Sequence, residues 1–123
     1  MRYTLTTLLI YHIMTREVWE RAKPEGSYRP EGFAAEGFIH CSTREQVIGV
    51  ADARFRGRSG LVLLCVDEGR VAAEIVYENL EGGQELFPHI YGALNTDAVA
   101  EVLEFEPGAD GRFSLPRSFT RGG

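Results

Sequence analysis

The pattern of apolar and polar residues predicts two buried strands and a helix. Residues 8–14 are apolar and bounded by threonines, which is typical of a strand. Thr15 is placed to cap a helix over Arg16–Ala22, and Val18, Trp19 and Ala22 give that helix one apolar stripe. The segment Leu61–Asp67 (LVLLCVD) is almost continuously apolar. It predicts a central strand that is buried on both faces.

A second helix is predicted after residue 42. Ser42 and Glu45 have the spacing of a capping box, in which the two side chains satisfy free amides at the start of a helix. Val47, Val50, Ala51 and Phe55 follow at near-helical spacing. Gly57 is a natural end for this helix.

The remaining strands are short and separated by turns. Pro88 favours an edge position or an irregular entry for its strand, and Asn95 is placed to cap a short helical turn. Residues 27–36 are predicted as a loop rich in proline, glycine and charge. The predicted strands cover residues 37–41, 73–78, 86–91 and 101–106, with turns at 82–83 and 108–111.

The predicted element order indicates an α+β fold with two main helices. A β-α-β-α start followed by several strands fits a mixed, mostly antiparallel sheet. No GxGxxG or Walker A loop is present, which disfavours a doubly wound nucleotide fold. We expect one domain over residues 1–123, with a core at about 8–106 and a peripheral tail at 107–123. Residues 1–7 are expected to be a loose lead-in, and the tail from Arg112 is expected to fray.

Composition narrows the classes of function. The chain has 18 acidic and 13 basic residues and a net charge of −5, which disfavours a broad nucleic-acid surface. No apolar run is long enough to cross a bilayer and no signal peptide is recognisable, so we predict a cytoplasmic protein. Cys41 and Cys65 lie in apolar segments and are predicted to be buried thiols rather than a disulfide or a zinc site.

The three histidines are the candidate chemistry, because each interrupts an apolar segment. Side chains alternate across a strand, so His40 shares a face with Phe38 and Ser42, whereas Cys41 points to the other side. This separation disfavours a cysteine nucleophile paired with His40. It leaves His40 as a candidate for acid–base chemistry or ligand binding.

The same alternation places the other two histidines. His12 lies opposite Tyr11 and Ile13, so if these two pack in the core, His12 faces solvent or a cleft whose rim would include Thr15 and Arg16. His89 shares a face with Phe87 and Tyr91, an aromatic pair that suits a planar ligand and equally an ordinary packed edge. A purely structural role, with one ring nitrogen bonded to a backbone carbonyl, stays open for each histidine. The spacing gives no support to a three-histidine metal site.

Several segments carry a family resemblance and occur in one order along the chain: Ile10-Tyr11-His12-Ile13, Trp19, Gly26-Ser27-Tyr28, Glu36-Gly37-Phe38-Ile39-His40-Cys41-Ser42, Gln46, Phe55-Arg56-Gly57, Leu61-Val62-Leu63-Leu64, Glu78 and Phe87-Pro88-His89-Ile90-Tyr91-Gly92. Over roughly residues 9–105 they resemble the domain of unknown function 952 family of small bacterial proteins. The resemblance implies an ADP-ribosyltransferase-like fold, with a split mixed sheet and an NAD-binding cleft.

The resemblance also implies roles. His12 would take the place of a histidine that bonds the ribose of NAD, and His40 would stand where a stacking tyrosine is expected. Glu78 or Glu85 would be the acidic group, with His89 as a non-acidic substitute. The predicted catalytic residues are therefore His12, His40, His89 and Glu78. The predicted ligand-binding residues are Thr15, Arg16, Tyr28, Phe38, Ser42, Gln46, Phe87 and Tyr91.

Three functions stay open from the sequence. The first is a histidine-lined cleft that binds NAD or a nucleotide-like ligand and transfers or hydrolyses it, with NAD as substrate rather than cofactor. The second is histidine-assisted cyclisation or hydrolysis in small-molecule metabolism on the same scaffold. The third is a ligand-binding module without catalysis. Fold alone does not choose among them.

Overall fold

The computed structural model describes residues 8–116. The elements in chain order are β1 (Leu9–Thr15), α1 (Arg16–Ala22), β2 (Ser27–Tyr28), α2 (Phe33–Glu36), β3 (Ile39–His40), α3 (Val47–Arg54), β4 (Leu61–Asp67), β5 (Glu74–Glu78), β6 (Phe87–Tyr91), β7 (Leu94–Asn95) and β8 (Val99–Glu104). Three sheets have the strand orders β1-β4-β8, β2-β7 and β3-β6-β5. Every named strand pair in this part of the chain is antiparallel, so the expected mixed sheet is replaced by several antiparallel ones.

The core is organised around β4, as its sequence predicted. Its first six residues are all buried, because β4 lies between β1 and β8 and both of its faces are covered. Val62, Leu64 and Val66 pack in one hydrophobic cluster with Trp19. Leu61, Leu63 and Cys65 pack in a second cluster with Val47 of α3 and Phe105.

Helix α1 has the bounds and the cap that the sequence predicts. The Thr15 hydroxyl accepts a hydrogen bond from the Val18 amide at 3.2 Å, which satisfies one of the free amides of the first turn. Trp19 is buried in the first cluster, with Val18 and Ala22 packed against it. None of the helices within residues 8–116 is long and apolar enough to cross a membrane.

The predicted capping box at Ser42 is wrong. Ser42 is buried, and its amide and carbonyl exchange hydrogen bonds of 2.8 Å with Tyr11 of β1. This bridge holds Ser42 in an extended conformation, so α3 begins later, at Val47. The Gln46 side chain, rather than that of Glu45, accepts from the Thr43 amide at 3.0 Å. The predicted loop at 27–36 also contains the short elements β2 and α2.

Strand β6 is the middle strand of its sheet, so of the two placements predicted from Pro88, an edge or an irregular entry, the edge is wrong. The short length of β3 explains the difference. The Cys41 amide donates to the Pro88 carbonyl at 2.9 Å, just after β3 has ended at His40. Because the N–H and C=O of a strand residue point to the same side, Pro88 lacks a donor only toward Cys41, where β3 has ended, and the β5–β6 ladder loses no bond.

Two C-terminal predictions are also corrected. Asn95 does precede a short 3₁₀ turn, Thr96–Ala98, as predicted, but its side chain does not cap that turn and instead accepts from the Ala72 amide and donates to the Arg70 carbonyl. The chain after Arg112 does not fray at once, because Phe113 is buried and stacks on Phe105 with ring centroids 4.8 Å apart. Residues 1–7, predicted as a loose lead-in, lie outside the described residues.

Candidate functional site

A carboxylate and an imidazole meet on one face of the β5–β6 pair. The His89 Nδ1 donates to Glu78 Oε2 at 2.9 Å, and the Tyr91 hydroxyl donates to the same oxygen. The hydrogen bonds from Tyr91 and, secondly, from His89 lower the pKa of Glu78, while donation to this carboxylate raises the pKa of Tyr91. Glu78 is therefore ionised at neutral pH. In neutral His89 the proton lies on Nδ1 and the lone pair on Nε2.

The His89 ring is fixed by aromatic packing. Phe38 stacks on it with ring centroids 4.1 Å apart and an interplanar angle of 13°, and His89 is only 4% exposed. Tyr91 lies at a tilt to Phe38, with centroids 5.6 Å apart. Stacking and the bond to Glu78 together restrain both the position and the rotation of the imidazole.

His40 is the second imidazole of the site. It pairs with His89 across β3 and β6, and its ring centroid lies 5.2 Å from that of His89 and 5.2 Å from that of Phe87. Burial, and then the charge of Arg54, lower the pKa of His40 to about 4. No group within residues 8–116 forms a hydrogen bond to its ring. His40 is thus an uncharged imidazole with both nitrogens available.

These rings line a cavity of about 110 Å³, which we call the histidine cavity. Its walls are Phe38, His40, Phe87, His89 and Glu78, and its charged margin comprises Glu36, Arg54 and Glu81. Arg54 comes from α3 and Glu81 from the loop after β5, and their side chains form an ion pair of 3.3 Å. Apolar rings and a few oriented polar groups are the usual composition of a small-molecule site.

His12 supports this site from behind. Its Nδ1 donates to the His40 carbonyl at 2.8 Å, and its Nε2 accepts from the Tyr28 hydroxyl at 3.3 Å. Burial lowers the pKa of His12 and raises the pKa of Tyr28 to about 12, so both are neutral at pH 7. Both ring nitrogens are thus occupied, and His12 positions the backbone of β3.

His12 also lines a second space, the adjoining cavity, of about 170 Å³. This cavity shares Glu36, His40, Val50 and Arg54 with the histidine cavity. Beyond it, a groove of about 510 Å³ contains His12, Thr15, Tyr28 and the cations Arg21 and Arg29. We call this the arginine groove.

The structure brings some predicted residues together and leaves others apart. His40, His89, Glu78, Phe38 and Phe87 meet in the histidine cavity, with Tyr91 bonded to Glu78. Ser42 lines the adjoining cavity, and Thr15 and Tyr28 line the arginine groove.

Arg16 and Gln46 line none of these three spaces. Arg16 forms an exposed ion pair with Glu104 at 2.9 Å, whereas Gln46 donates to the Leu86 carbonyl at 2.7 Å. Of the two candidate carboxylates, Glu78 contacts His89. Glu85 is exposed in the loop after β5.

Sequence reasoning missed the charged margin of the histidine cavity and Arg29 of the arginine groove. Glu36, Arg54, Glu81 and Arg29 lie in short helices and loops, where no apolar periodicity marks which side chains turn toward the site. Arg54 is the basic residue of the last turn of α3, a placement that helix electrostatics favours and that does not by itself indicate a site. Among residues 8–116 no group of three or more histidine, cysteine, aspartate or glutamate side chains is arranged to hold a metal ion.

The family model described as "Protein of unknown function (DUF952)" matches residues 13–102, most of the chain. The chain belongs to the DUF952 family. This confirms the resemblance that its segments suggested. The crystal structure of Protein CC0527 from Caulobacter crescentus is 36% identical, with a TM-score of 0.78, and the match covers 87% of this DUF952 chain and 94% of that chain.

The solution NMR structure of CC0527 is also 36% identical, with a TM-score of 0.75 and coverage of 85% of this chain and 90% of that chain. No curated protein matches the sequence. For this DUF952 chain, the comparisons establish the family and an α+β fold with several antiparallel sheets and few helices.

Proposed function

We propose that the histidine cavity binds a small organic ligand and that His89 exchanges a proton with it. The observation that carries the proposal is the 2.9 Å bond from His89 Nδ1 to Glu78 Oε2. A carboxylate that holds one imidazole nitrogen orients the ring, fixes its tautomer and stabilises the imidazolium that forms on proton transfer. Nε2, which has no partner within residues 8–116, is the nitrogen available to the ligand.

His40 has a different role in this proposal. With a pKa of about 4 it is uncharged at neutral pH, so it orients the ligand by a hydrogen bond and leaves proton transfer to His89. Phe38 and Phe87 supply apolar walls, which exclude water and strengthen the polar contacts inside. The proposed reaction class is therefore acid–base chemistry assisted by histidine, such as cyclisation or hydrolysis.

A nucleotide-like ligand, including NAD, is the second candidate. Arg29 favours it, because this cation lines the arginine groove and would face the phosphates of a ligand that extends past His12. Arg21 also lines the groove, in an ion pair of 3.3 Å with Glu17, and Glu31 is the acidic residue of its lining. The ADP-ribosyltransferase-like fold, with transfer or hydrolysis of NAD, belongs to this candidate. The ligand would enter the histidine cavity with its non-phosphate end, beside Glu78.

Amide NMR on the full chain tests both candidates. NAD, ADP-ribose and a panel of uncharged and charged small metabolites are added, and we expect a ligand to shift the amides of Phe38, His40 and His89. A nucleotide should also shift Arg29. For a ligand that is converted, His89→Gln should abolish conversion but retain binding, whereas Glu101→Gln, which alters an exposed side chain of β8, should change neither.

Three results would contradict the proposal. Ligands that shift only amides remote from the cavity would refute the site. Conversion by His89→Gln at the wild-type rate would refute the role of His89. Binding without conversion for every ligand would leave a binding module and refute proton transfer.

A further inference from the structure

The hydrogen-bonding groups that the histidine cavity leaves free are mostly acceptors. Both bonds to Glu78, from His89 and from Tyr91, end on Oε2, and no group within residues 8–116 bonds Oε1. The His89 Nε2 is a second acceptor, since Nδ1 carries the proton. The exposed carboxylate of Glu36 at the margin adds further acceptor oxygens.

Three of the four donor side chains at the same cavity, His89, Arg54 and Asn79, already bond protein groups, whereas neutral His40 keeps one free N–H. Arg54 Nη2 bonds Glu81 Oε2 at 3.3 Å. The Asn79 side-chain amide donates to the Glu85 carbonyl at 2.7 Å, and its oxygen accepts from the Glu81 and Gly83 amides. A ligand that can only accept hydrogen bonds, such as a phosphate dianion, therefore finds few partners here.

The charges around the cavity also favour a cationic ligand over an anionic one. Three carboxylates, those of Glu36, Glu78 and Glu81, line the cavity, against one guanidinium, that of Arg54. Two aromatic rings, Phe38 and Phe87, form part of its wall. An organic cation gains from carboxylates and from the electron-rich faces of aromatic rings, whereas an anion is repelled by both.

We infer that the occupant of the histidine cavity is an organic cation that donates hydrogen bonds, an amine or guanidinium on an apolar body, with an N–H directed at Glu78 Oε1. This inference rests on the proposed function only in taking the histidine cavity as the binding site. It names the substrate class of that site. It also assigns phosphate groups, where a ligand carries them, to the arginine groove.

Three probes that share a phenyl ring and differ in charge, together with inorganic phosphate, test this inference. Benzylamine, benzyl alcohol, benzoate and inorganic phosphate are titrated into the full chain at neutral pH, with amide NMR as the readout. Benzylamine should shift Phe38, His40 and His89, benzyl alcohol should do so more weakly, and benzoate and phosphate should leave these amides unchanged. Glu78→Gln should weaken benzylamine by about 10-fold or more, since a charge-assisted bond is lost.

The control is Glu101→Gln, which removes the same charge from an exposed position in β8 and should bind benzylamine like the wild type. Benzoate or phosphate that shifts the cavity amides as strongly as benzylamine would overturn the cation inference while leaving the site in place. Probes that leave these amides unmoved would overturn the inference and the proposed site together. If Glu78→Gln fails to fold, the titration of the four probes into the wild-type chain still tests the inference.

Discussion

Glu78 and His89 are diagonal neighbours on adjacent strands, and 2.9 Å separates Glu78 Oε2 from His89 Nδ1. The register pairs Glu78 with Phe87 and Val76 with His89, so the two side chains lie on the same face of the sheet. This relationship fixes which His89 nitrogen carries the proton. The tautomer of His89 is therefore the most direct readout of the site.

We expect wild-type His89 to be protonated at Nδ1, and Glu78→Ala to populate the Nε2–H tautomer as well, because the acceptor at Nδ1 is lost. Long-range ¹⁵N–¹H correlation spectra of the imidazole distinguish the two forms. His12, whose Nδ1 bond to the His40 carbonyl is untouched, serves as the internal control. A variant that keeps the wild-type His89 tautomer would contradict the assigned role of Glu78.

His12 is predicted to matter for stability. His12→Ala removes a donor to the partly buried His40 carbonyl and an acceptor for Tyr28, and it leaves a void between β1 and β3. We expect it to lower the free energy of unfolding by about 2–4 kcal/mol, as measured by urea denaturation. Tyr28→Phe removes one of these bonds and should cost about 1 kcal/mol. Wild-type stability of His12→Ala would refute the supporting role.

The low pKa of His40 predicts a loss of stability in mild acid. Its pKa falls from 6.5 to about 4 on folding, so between these values the unfolded chain binds a proton that the folded chain does not. Stability therefore rises with pH, and the contribution of His40 is lost as pH falls through this window. His12 acts in the same direction. In urea denaturation at several pH values, His40→Gln should show a shallower dependence than the wild type, and an unchanged slope would contradict this account.

Arg54 is predicted to lower the pKa of His40. Its charge is, after burial, the next cause of the low pKa of that imidazole. Arg54→Gln should raise the pKa of His40 toward its ordinary value, as followed by NMR titration of the ring protons. Because the Arg54–Glu81 pair is largely exposed, the free energy of unfolding should change by less than about 1 kcal/mol. Arg58→Gln, an exposed arginine packed over Phe55 outside the histidine cavity, should leave the pKa of His40 unchanged.

Both thiols should be inert in the folded protein. Cys41 and Cys65 are buried and free, and burial raises the pKa of both, that of Cys65 to about 12. A chromogenic disulfide reagent should therefore react slowly with the native chain and rapidly with both thiols in urea. Fast reaction of one thiol under native conditions would show that its strand opens readily.

Local sequence patterns correctly predicted the elements that depend only on consecutive residues. The apolar run of β4 and the cap of α1 at Thr15 are properties of consecutive residues, and both agree with the structure. Ser42 and Pro88 were misjudged because each depends on a distant partner. Ser42 bridges Tyr11, and Pro88 lies opposite the end of β3. Neither contact can be predicted from a pattern of consecutive residues, because the partners are far apart in the sequence.

The candidate site likewise combines features that local patterns predict with features that depend on long-range contacts. Alternation along a strand predicted that Phe38 and His40 share one face, away from Cys41, and the structure places both in the cavity while Cys41 packs in the core. The choice between Glu78 and Glu85 required the register of β5 against β6, which the sequence did not specify. Arg54 and Glu81 meet only through tertiary packing of a helix against a loop.

Glu78 and Phe87 close the β5–β6 hairpin as a strand pair, and both line the histidine cavity. The eight residues between them, 79–86, supply part of the mouth but none of the bonds that hold His89. This loop can therefore be replaced without removing any of those bonds. Substitution of residues 79–86 by segments of different length or charge would change which ligands bind, while His89 and Glu78 keep their positions.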